Sequence, residues 1–137
     1  MQLQITFQEI SRYLSSQFSK NIQFSYISAS EFKIIYRQKV LIAEVPISLD
    51  VKIEEVNENR ITFSFSGKMG IDTIMRGVLG YCKSKFPKIF QAFTLNEGRS
   101  LTIDFTRLKE TRNFIETVNL HSVTVTESGF TVLAALK

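Results

Sequence analysis

The fold of this chain is decided by residues 47–65, which read ISLDVKIEEVNENRITFSF. On both sides of a polar turn, apolar residues alternate with polar ones, and the apolar set is Ile47, Leu49, Val51, Ile53, Ile61, Phe63 and Phe65. A period of two residues is typical of β-strands that bury one face. Residues 47–65 therefore predict a long antiparallel hairpin with one apolar face.

The residues before this hairpin predict one helix and further strands. Thr6 and Glu9 have the spacing of a capping box, in which each side chain accepts a hydrogen bond from the backbone N–H of the other residue. Apolar residues then recur at helical spacing, which predicts a helix over residues 7–18. From residue 22 the period changes to two residues, and it predicts strands over residues 22–26, 32–36 and 41–45.

The residues after the hairpin predict two more helices and two more pairs of strands. A helix is expected over about residues 71–85, and Pro87 ends it because the residue before a proline is pushed out of the helical conformation. Strands over residues 89–95 and 101–105, a short helix over 107–118 and a closing hairpin over 121–136 follow. The prediction is one α+β domain over residues 1–137, with an antiparallel sheet of several hairpins packed on the helix at 71–85.

The helix at 71–85 carries a stripe of small residues opposite its apolar face, namely Thr73, Gly77, Gly80 and Ser84. Each glycine inside a helix costs about 1 kcal/mol relative to alanine. One interpretation is drift on a solvent-facing surface. The other is a close contact, in which a strand, another helix, a second copy of the chain or a ligand approaches the backbone, and on this interpretation the stripe is an interaction surface.

Composition and charge narrow the class of protein. Cys82 is the only cysteine, so an intrachain disulfide is excluded and a cytoplasmic location is expected. Polar and charged residues interrupt the first eighteen positions, unlike a secretory signal, and no stretch has the ~20 apolar residues that an integral membrane span needs. Seventeen basic residues against thirteen acidic ones give a net charge of +4, which mildly favours anionic partners.

The closing third of the chain resembles a known family. The residues concerned are Leu101-Thr-Ile-Asp-Phe-Thr-Arg-Leu108, Phe114-Ile115, Val123-Thr-Val125, Gly129-Phe130 and Val132. Over about residues 101–136 they resemble the end of bacterial tubular lipid-binding domains of the TULIP type. The resemblance implies a curved antiparallel sheet wrapped around a central helix, with an apolar seam able to hold acyl chains. Because the chain is short for a complete tube of this type, a closed cavity would require a second copy.

The residues that carry chemistry do not form the pattern of an active site or a metal centre. A catalytic base needs a partner that orients it, and a structural zinc site needs four ligands. The chain has one histidine, His121, at the start of a predicted strand, and Cys82 lies on the apolar face of the helix at 71–85. We therefore expect no catalytic residue, no metal and no cofactor. The glycine turn at 66–70 is similar to anion-binding and KH loops, but it is interpreted as a plain connection between strand and helix.

The twelve phenylalanines are more than a plain two-layer core requires, and they indicate a function. We expect non-enzymatic binding of an apolar or lipid-like ligand in a seam between the sheet and the helix at 71–85, lined by Phe24, Phe63, Phe65, Met75, Leu79 and Phe93. One alternative is a protein-interaction or self-assembling domain, for example a homodimer. The third is nucleic-acid binding through basic faces formed by Lys33, Arg37, Lys39, Arg76, Lys83, Lys85 and Lys88, which is disfavoured because the neighbouring aromatic residues fall on the opposite, core-facing sides.

Overall fold

The computed structural model describes residues 1–18, 21–67, 76, 79, 80, 82–96 and 99–137. These residues form helices and two antiparallel sheets, which confirms the α+β class. In chain order the described strands are β1 (Gln2–Thr6), β2 (Ile22–Ser28), β3 (Glu31–Val40), β4 (Ala43–Asn57), β5 (Arg60–Ser66), β6 (Phe93–Asn96), β7 (Ser100–Asp104), β8 (Val118–Thr126) and β9 (Gly129–Leu136).

The larger sheet has six strands in the order β2-β3-β4-β5-β7-β6, and all its pairs are antiparallel. Its centre is the hairpin predicted from residues 47–65, in which Ile53 pairs with Phe63 and Val51 with Phe65. The smaller sheet has the order β1-β9-β8, and it joins strands from opposite ends of the chain.

The N-terminal helix runs over Phe7–Phe18, with the bounds that the sequence predicts. Its capping box is formed: the Thr6 N–H donates to Glu9 Oε1 at 3.1 Å, and the Glu9 N–H donates to Thr6 Oγ1 at 3.0 Å. The other described helical segments are a turn at Pro87–Phe90, a 3₁₀ turn at Phe105–Arg107 and a short helix at Lys109–Thr117. Residues 76, 79, 80 and 82–85 are also helical, and the rest of the predicted helix at 71–85 lies outside the described residues.

The core lies between the two sheets and the N-terminal helix. One cluster of buried residues consists of Phe7, Phe32, Leu49, Val51 and Val125. A second cluster consists of Ile61, Ile115, Val118, Leu120 and Ala134. The Phe32 ring lies edge-on to the Phe130 ring at a centroid distance of 4.9 Å, so an aromatic contact of favourable geometry joins the large sheet to the small one.

Two boundaries differ from those predicted. Residues 41–45 are not a separate strand, because Leu41 and Ile42 form a turn and β4 continues through Pro46 to Asn57. At Pro46 the structure pairs β4 with β3 alone, so the missing proline N–H is tolerated there. Residues 87–90 are helical and not the start of a strand, since proline is favoured in the first turn of a helix.

Two further differences concern the small sheet. Strand β1 was not predicted, although Leu3 and Ile5 alternate with polar residues, because the stretch is only five residues long. Val118 begins β8, whereas the sequence predicts it as the last residue of the short helix. Its side chain is 1% exposed, and a β-branched residue at a buried position favours the extended backbone.

Candidate ligand-binding groove

An open groove of about 570 Å³ lies beside strand β6, at one edge of the large sheet. It is lined by Phe90, Gln91, Phe93, Thr106, Arg107 and Arg112. The lining therefore combines two aromatic rings with two guanidinium groups.

The aromatic wall of the groove is positioned by the helical turn Pro87–Phe90. The Phe90 N–H donates to the Phe86 carbonyl oxygen at 2.9 Å, and the chain then enters β6 through Ala92. Ala92 is 1% exposed, and its carbonyl oxygen accepts a hydrogen bond from the Asp104 N–H at 2.9 Å. This connection sets the Phe90 ring 6.2 Å from the Phe93 ring, centroid to centroid.

The polar wall is built around Asp104, at the end of β7. Asp104 Oδ1 accepts hydrogen bonds from the Thr106 N–H at 3.0 Å and from Thr106 Oγ1 at 2.6 Å, and it thereby caps the 3₁₀ turn. Arg112 Nε donates to the Thr106 carbonyl oxygen at 3.3 Å. The backbone of Thr106 is therefore hydrogen-bonded at its N–H by Asp104 and at its carbonyl oxygen by Arg112. The second hydrogen bond places the Arg112 guanidinium next to the turn.

The charge state of Asp104 follows from its neighbours. Burial raises the pKa of Asp104, but the two hydrogen bonds from Thr106 and the nearby Arg60 and Arg107 outweigh this effect, and the pKa lies below its usual value. Arg60 Nε and Arg107 Nε lie 3.6 Å and 3.9 Å from Asp104 Oδ2. Asp104 is therefore a carboxylate at neutral pH, and its role at the groove is to position basic groups.

The guanidinium groups remain accessible from the groove. The Arg107 side chain is 66% exposed, and Arg112 is exposed as well. Guanidinium groups bind carboxylates and phosphates through paired hydrogen bonds. Aromatic rings beside such a pair can bind an apolar chain, so the chemistry of the groove suits an anionic amphiphile.

The apolar face of the large sheet extends to this groove. Ile61 pairs with Ile103 and Ile103 with Phe93, so these three side chains point to one face of the sheet. Ile61 is buried in the second core cluster, and Phe93 lines the groove. On the same face of β6, Leu95 is 57% exposed. The apolar face of the large sheet is therefore buried at Ile61 and becomes exposed to solvent at its β6 edge.

The structure separates the residues predicted to bind a ligand. Phe24, Phe63 and Phe65 are brought together, but they pack partly buried against the first core cluster. Phe93 lines the groove beside β6. Leu79 is half-buried in a helical segment, and Met75 lies outside the described residues.

Half of the predicted small-residue surface can be placed. Thr73 and Gly77 lie outside the described residues. Gly80 and Ser84 are exposed, and a Cβ added at Gly80 would meet no described atom within 4 Å. At these two positions the helix therefore faces open space within one copy of the chain.

A second open groove, of about 520 Å³, lies where the β4–β5 turn meets β8. It is lined by Val56, Asn57, Glu58, Asn59, Asn119, Leu120 and His121. His121 is exposed at an irregularity in the pairing of β8 with β9, inside the strand and not at its start. Among the described residues, no hydrogen bond or ion pair of the His121 imidazole is found.

Cys82 and the residue types that bind metals can be placed in the described part of the chain. Burial raises the pKa of the Cys82 thiol above its ordinary value, which disfavours the reactive thiolate. In the described part of the chain, no three histidine, cysteine, aspartate or glutamate residues are grouped as metal ligands would be.

Sequence reasoning identified one residue of the groove, Phe93, and missed the others. Phe90 was assigned to a strand, although Pro87 in the first turn of a helix would have placed it correctly. Arg107 and Arg112 are not neighbours on one helix face, because Arg107 ends the 3₁₀ turn and Arg112 lies in the short helix that follows. Only the path of the backbone around Asp104 brings them together.

Comparison with protein-family models, curated proteins and solved structures finds no match to this chain. No helix within the described ranges is long and apolar enough to cross a membrane.

Proposed function

We propose that this protein binds an apolar or lipid-like ligand without transforming it, and that the groove beside β6 holds the ligand. The observation that supports the proposal is the pairing of an aromatic wall, Phe90 and Phe93, with two accessible guanidinium groups, Arg107 and Arg112. The aromatic wall suits an acyl chain, and the guanidinium groups suit its anionic head group.

The size of the groove agrees with this function. Pockets for small ligands commonly enclose about 300–1,000 Å³. The groove falls within this range at about 570 Å³. Its open shape means that part of a long chain would lie along the exposed edge of β6, near Leu95.

The proposal includes the tubular arrangement implied by the TULIP resemblance, with a curved sheet around the helix at 71–85. It is supported by one continuous antiparallel sheet of six strands and by the half-buried Leu79 in the helical segment. The ligand would then reach from the groove toward the helix along the apolar face of β6 and β7.

Isothermal titration with twelve-carbon probes tests the proposal. Dodecanoate and dodecyl phosphate carry a carboxylate and a phosphate head group, and glycerol monolaurate is their uncharged counterpart. We expect one molecule of at least one anionic probe to bind per chain. Phe93→Ala should weaken all binding about tenfold, because it removes apolar contact area. Arg107→Gln/Arg112→Gln should weaken binding of the anionic probes only.

The matched control is Arg12→Gln, which removes an exposed arginine from the N-terminal helix and should leave binding unchanged. The midpoint of urea unfolding verifies that each variant is folded. The proposal fails if no probe binds the parent protein, or if Phe93→Ala and the double arginine variant bind as the parent does.

A further inference from the structure

The tip of the β3–β4 hairpin is the most exposed apolar feature of the described residues. The two-residue turn consists of Leu41, which is 90% exposed, and Ile42, which is 99% exposed. Leucine and isoleucine are among the residues most often buried in folded proteins, and here two adjacent ones are almost entirely in solvent.

The hairpin carries these residues away from the rest of the sheet. Pairing of β2 with β3 begins at Ile22 and Tyr36, and pairing of β5 with β4 stops at Ser66 and Asp50. Residues 37–46 therefore form a two-stranded ribbon that no third described strand joins. At ~3.3 Å per residue, the ribbon extends about 15 Å to its tip.

Leu41 and Ile42 are unfavourable residues for a two-residue hairpin turn. Leu41 has a φ of 57°, in the left-handed region that asparagine and glycine adopt more readily. Two-residue hairpin turns favour sequences such as Asn-Gly for this reason. A leucine followed by an isoleucine is a poor turn with two large apolar side chains, which indicates that the side chains serve a contact.

We propose that this tip inserts into the surface of a lipid bilayer with anionic head groups. Two side chains on a narrow ribbon cannot supply the ~800 Å² per partner that a stable protein interface buries, which argues against a second copy or another globular protein. A bilayer needs no complementary shape, and apolar groups enter it to a depth of about 5–10 Å, within the reach of the ribbon.

Charge also favours this occupant. The net charge of the protein is +4. Residues 37–46 of the sequence include two basic residues, Arg37 and Lys39, and one acidic residue, Glu44. The Arg37 side chain is exposed. Basic groups near an anionic bilayer are attracted to its surface, and this attraction weakens with salt. The inference does not depend on the groove beside β6, because the tip and the groove share no residue.

Sedimentation with vesicles tests the inference. The vesicles contain phosphatidylcholine alone, or phosphatidylcholine and phosphatidylglycerol in a 3:1 ratio. The parent protein should bind the anionic vesicles, and more weakly at high salt. Leu41→Asn/Ile42→Gly should lower the partition coefficient at least tenfold. Because Asn-Gly is a favoured turn, the midpoint of urea unfolding of this variant should be equal to or above that of the parent.

The matched control is Leu136→Asn, which removes a leucine that is 74% exposed elsewhere on the molecule and should leave the partition coefficient within twofold. The tip variant should still bind the twelve-carbon probes as the parent does, which separates tip from groove. The inference is overturned if the parent binds neither kind of vesicle, or if the tip variant binds as well as the parent. It is also overturned if the tip variant loses self-association in sedimentation velocity but keeps its binding to vesicles.

Discussion

Gly129 lies so close to the backbone of Ile5 that a Cβ at position 129 would overlap the Ile5 carbonyl oxygen. The same Cβ would lie 2.6 Å from Thr6 Cα. The contact occurs where β1 joins β9, next to the hydrogen bond that the Phe7 N–H donates to the Ser128 carbonyl oxygen. The start of the N-terminal helix is thus hydrogen-bonded to the β8–β9 turn, and at the neighbouring position 129 there is no space for a side chain.

We expect Gly129→Ala to lower the free energy of unfolding by about 2–3 kcal/mol, because the new methyl group forces two backbones apart. Urea unfolding followed by circular dichroism measures the change. The expectation is wrong if the alanine variant unfolds within ~0.5 kcal/mol of the parent, which is the scatter of unconstrained surface substitutions.

Gly80→Ala is expected to have the opposite sign. Because a Cβ at this helical position meets no described atom within 4 Å, alanine should raise the free energy of unfolding by about 0.5–1 kcal/mol. Urea unfolding at low protein concentration measures this change. The small-residue surface predicted from the sequence is tested separately by Gly80→Leu in sedimentation velocity. If a second copy packs there, leucine should weaken dimerisation and leave the unfolding of the monomer unchanged.

Asp104→Asn should lower stability at neutral pH by about 1–2 kcal/mol, because a carboxylate that accepts two hydrogen bonds from Thr106 loses its charge. The pKa of Asp104 is lower in the folded protein than in the unfolded chain, so its contribution is complete above the unfolded value near ~4 and is lost as pH falls through the folded value. The difference between parent and variant should therefore shrink below about pH 4.

The control for this substitution is Asp50→Asn. The Asp50 side chain is 41% exposed, and its Oδ1 lies 3.6 Å from Lys33 Nζ. Solvent screens this exposed ion pair. Its loss should cost less than about 0.5 kcal/mol. Equal effects of the two substitutions across the pH range would show that the hydrogen bonds to Asp104 contribute nothing of their own.

Thr6→Ala should lower the free energy of unfolding by about 1 kcal/mol, because it leaves the Glu9 N–H without its acceptor at the helix start. The pKa of Glu9 lies below its usual value, chiefly because of the hydrogen bond from the Thr6 backbone N–H. A hydrogen bond with the Thr6 side chain lowers this pKa further. Thermal unfolding measures the loss, and Ser16→Ala, at an exposed position late in the same helix, is the control. An unchanged transition in Thr6→Ala would contradict this role for the cap.

The parts of the fold that sequence predicts well are those set by local patterns. The N-terminal helix has the predicted bounds because a capping box fixes its start and an apolar stripe fixes its face. The hairpin of residues 47–65 forms because alternation requires one buried face, and Val51 and Ile61 are indeed buried. Both patterns lie within a few residues of the positions that they determine.

The parts that sequence misses depend on distant contacts. Strand β1 exists because β9 pairs with it, and nothing local distinguishes five alternating residues from a loop. The candidate groove is assembled from the turn at Pro87–Phe90, strand β6, the 3₁₀ turn after β7 and the short helix. Its two arginines are held by different partners, since Arg107 pairs with Asp104 and Arg112 donates to the Thr106 carbonyl oxygen. Phe63 and Phe65 pack partly buried against the first core cluster, and their place beside a ligand stays a prediction.

The pairing of β1 with β9 has a consequence for how the chain acquires its fold as it leaves the ribosome. Strands β2 to β5 are consecutive neighbours, so each can pair as soon as the next one emerges. Strand β1 is made before any of them, yet its partner is made after all of them. Throughout synthesis it presents free N–H and C=O groups, the state in which strands join the wrong neighbour. Among the described strands, β1 is thus made before all the others and is among the last to be protected, and three of its five residues, Gln2, Gln4 and Thr6, are polar.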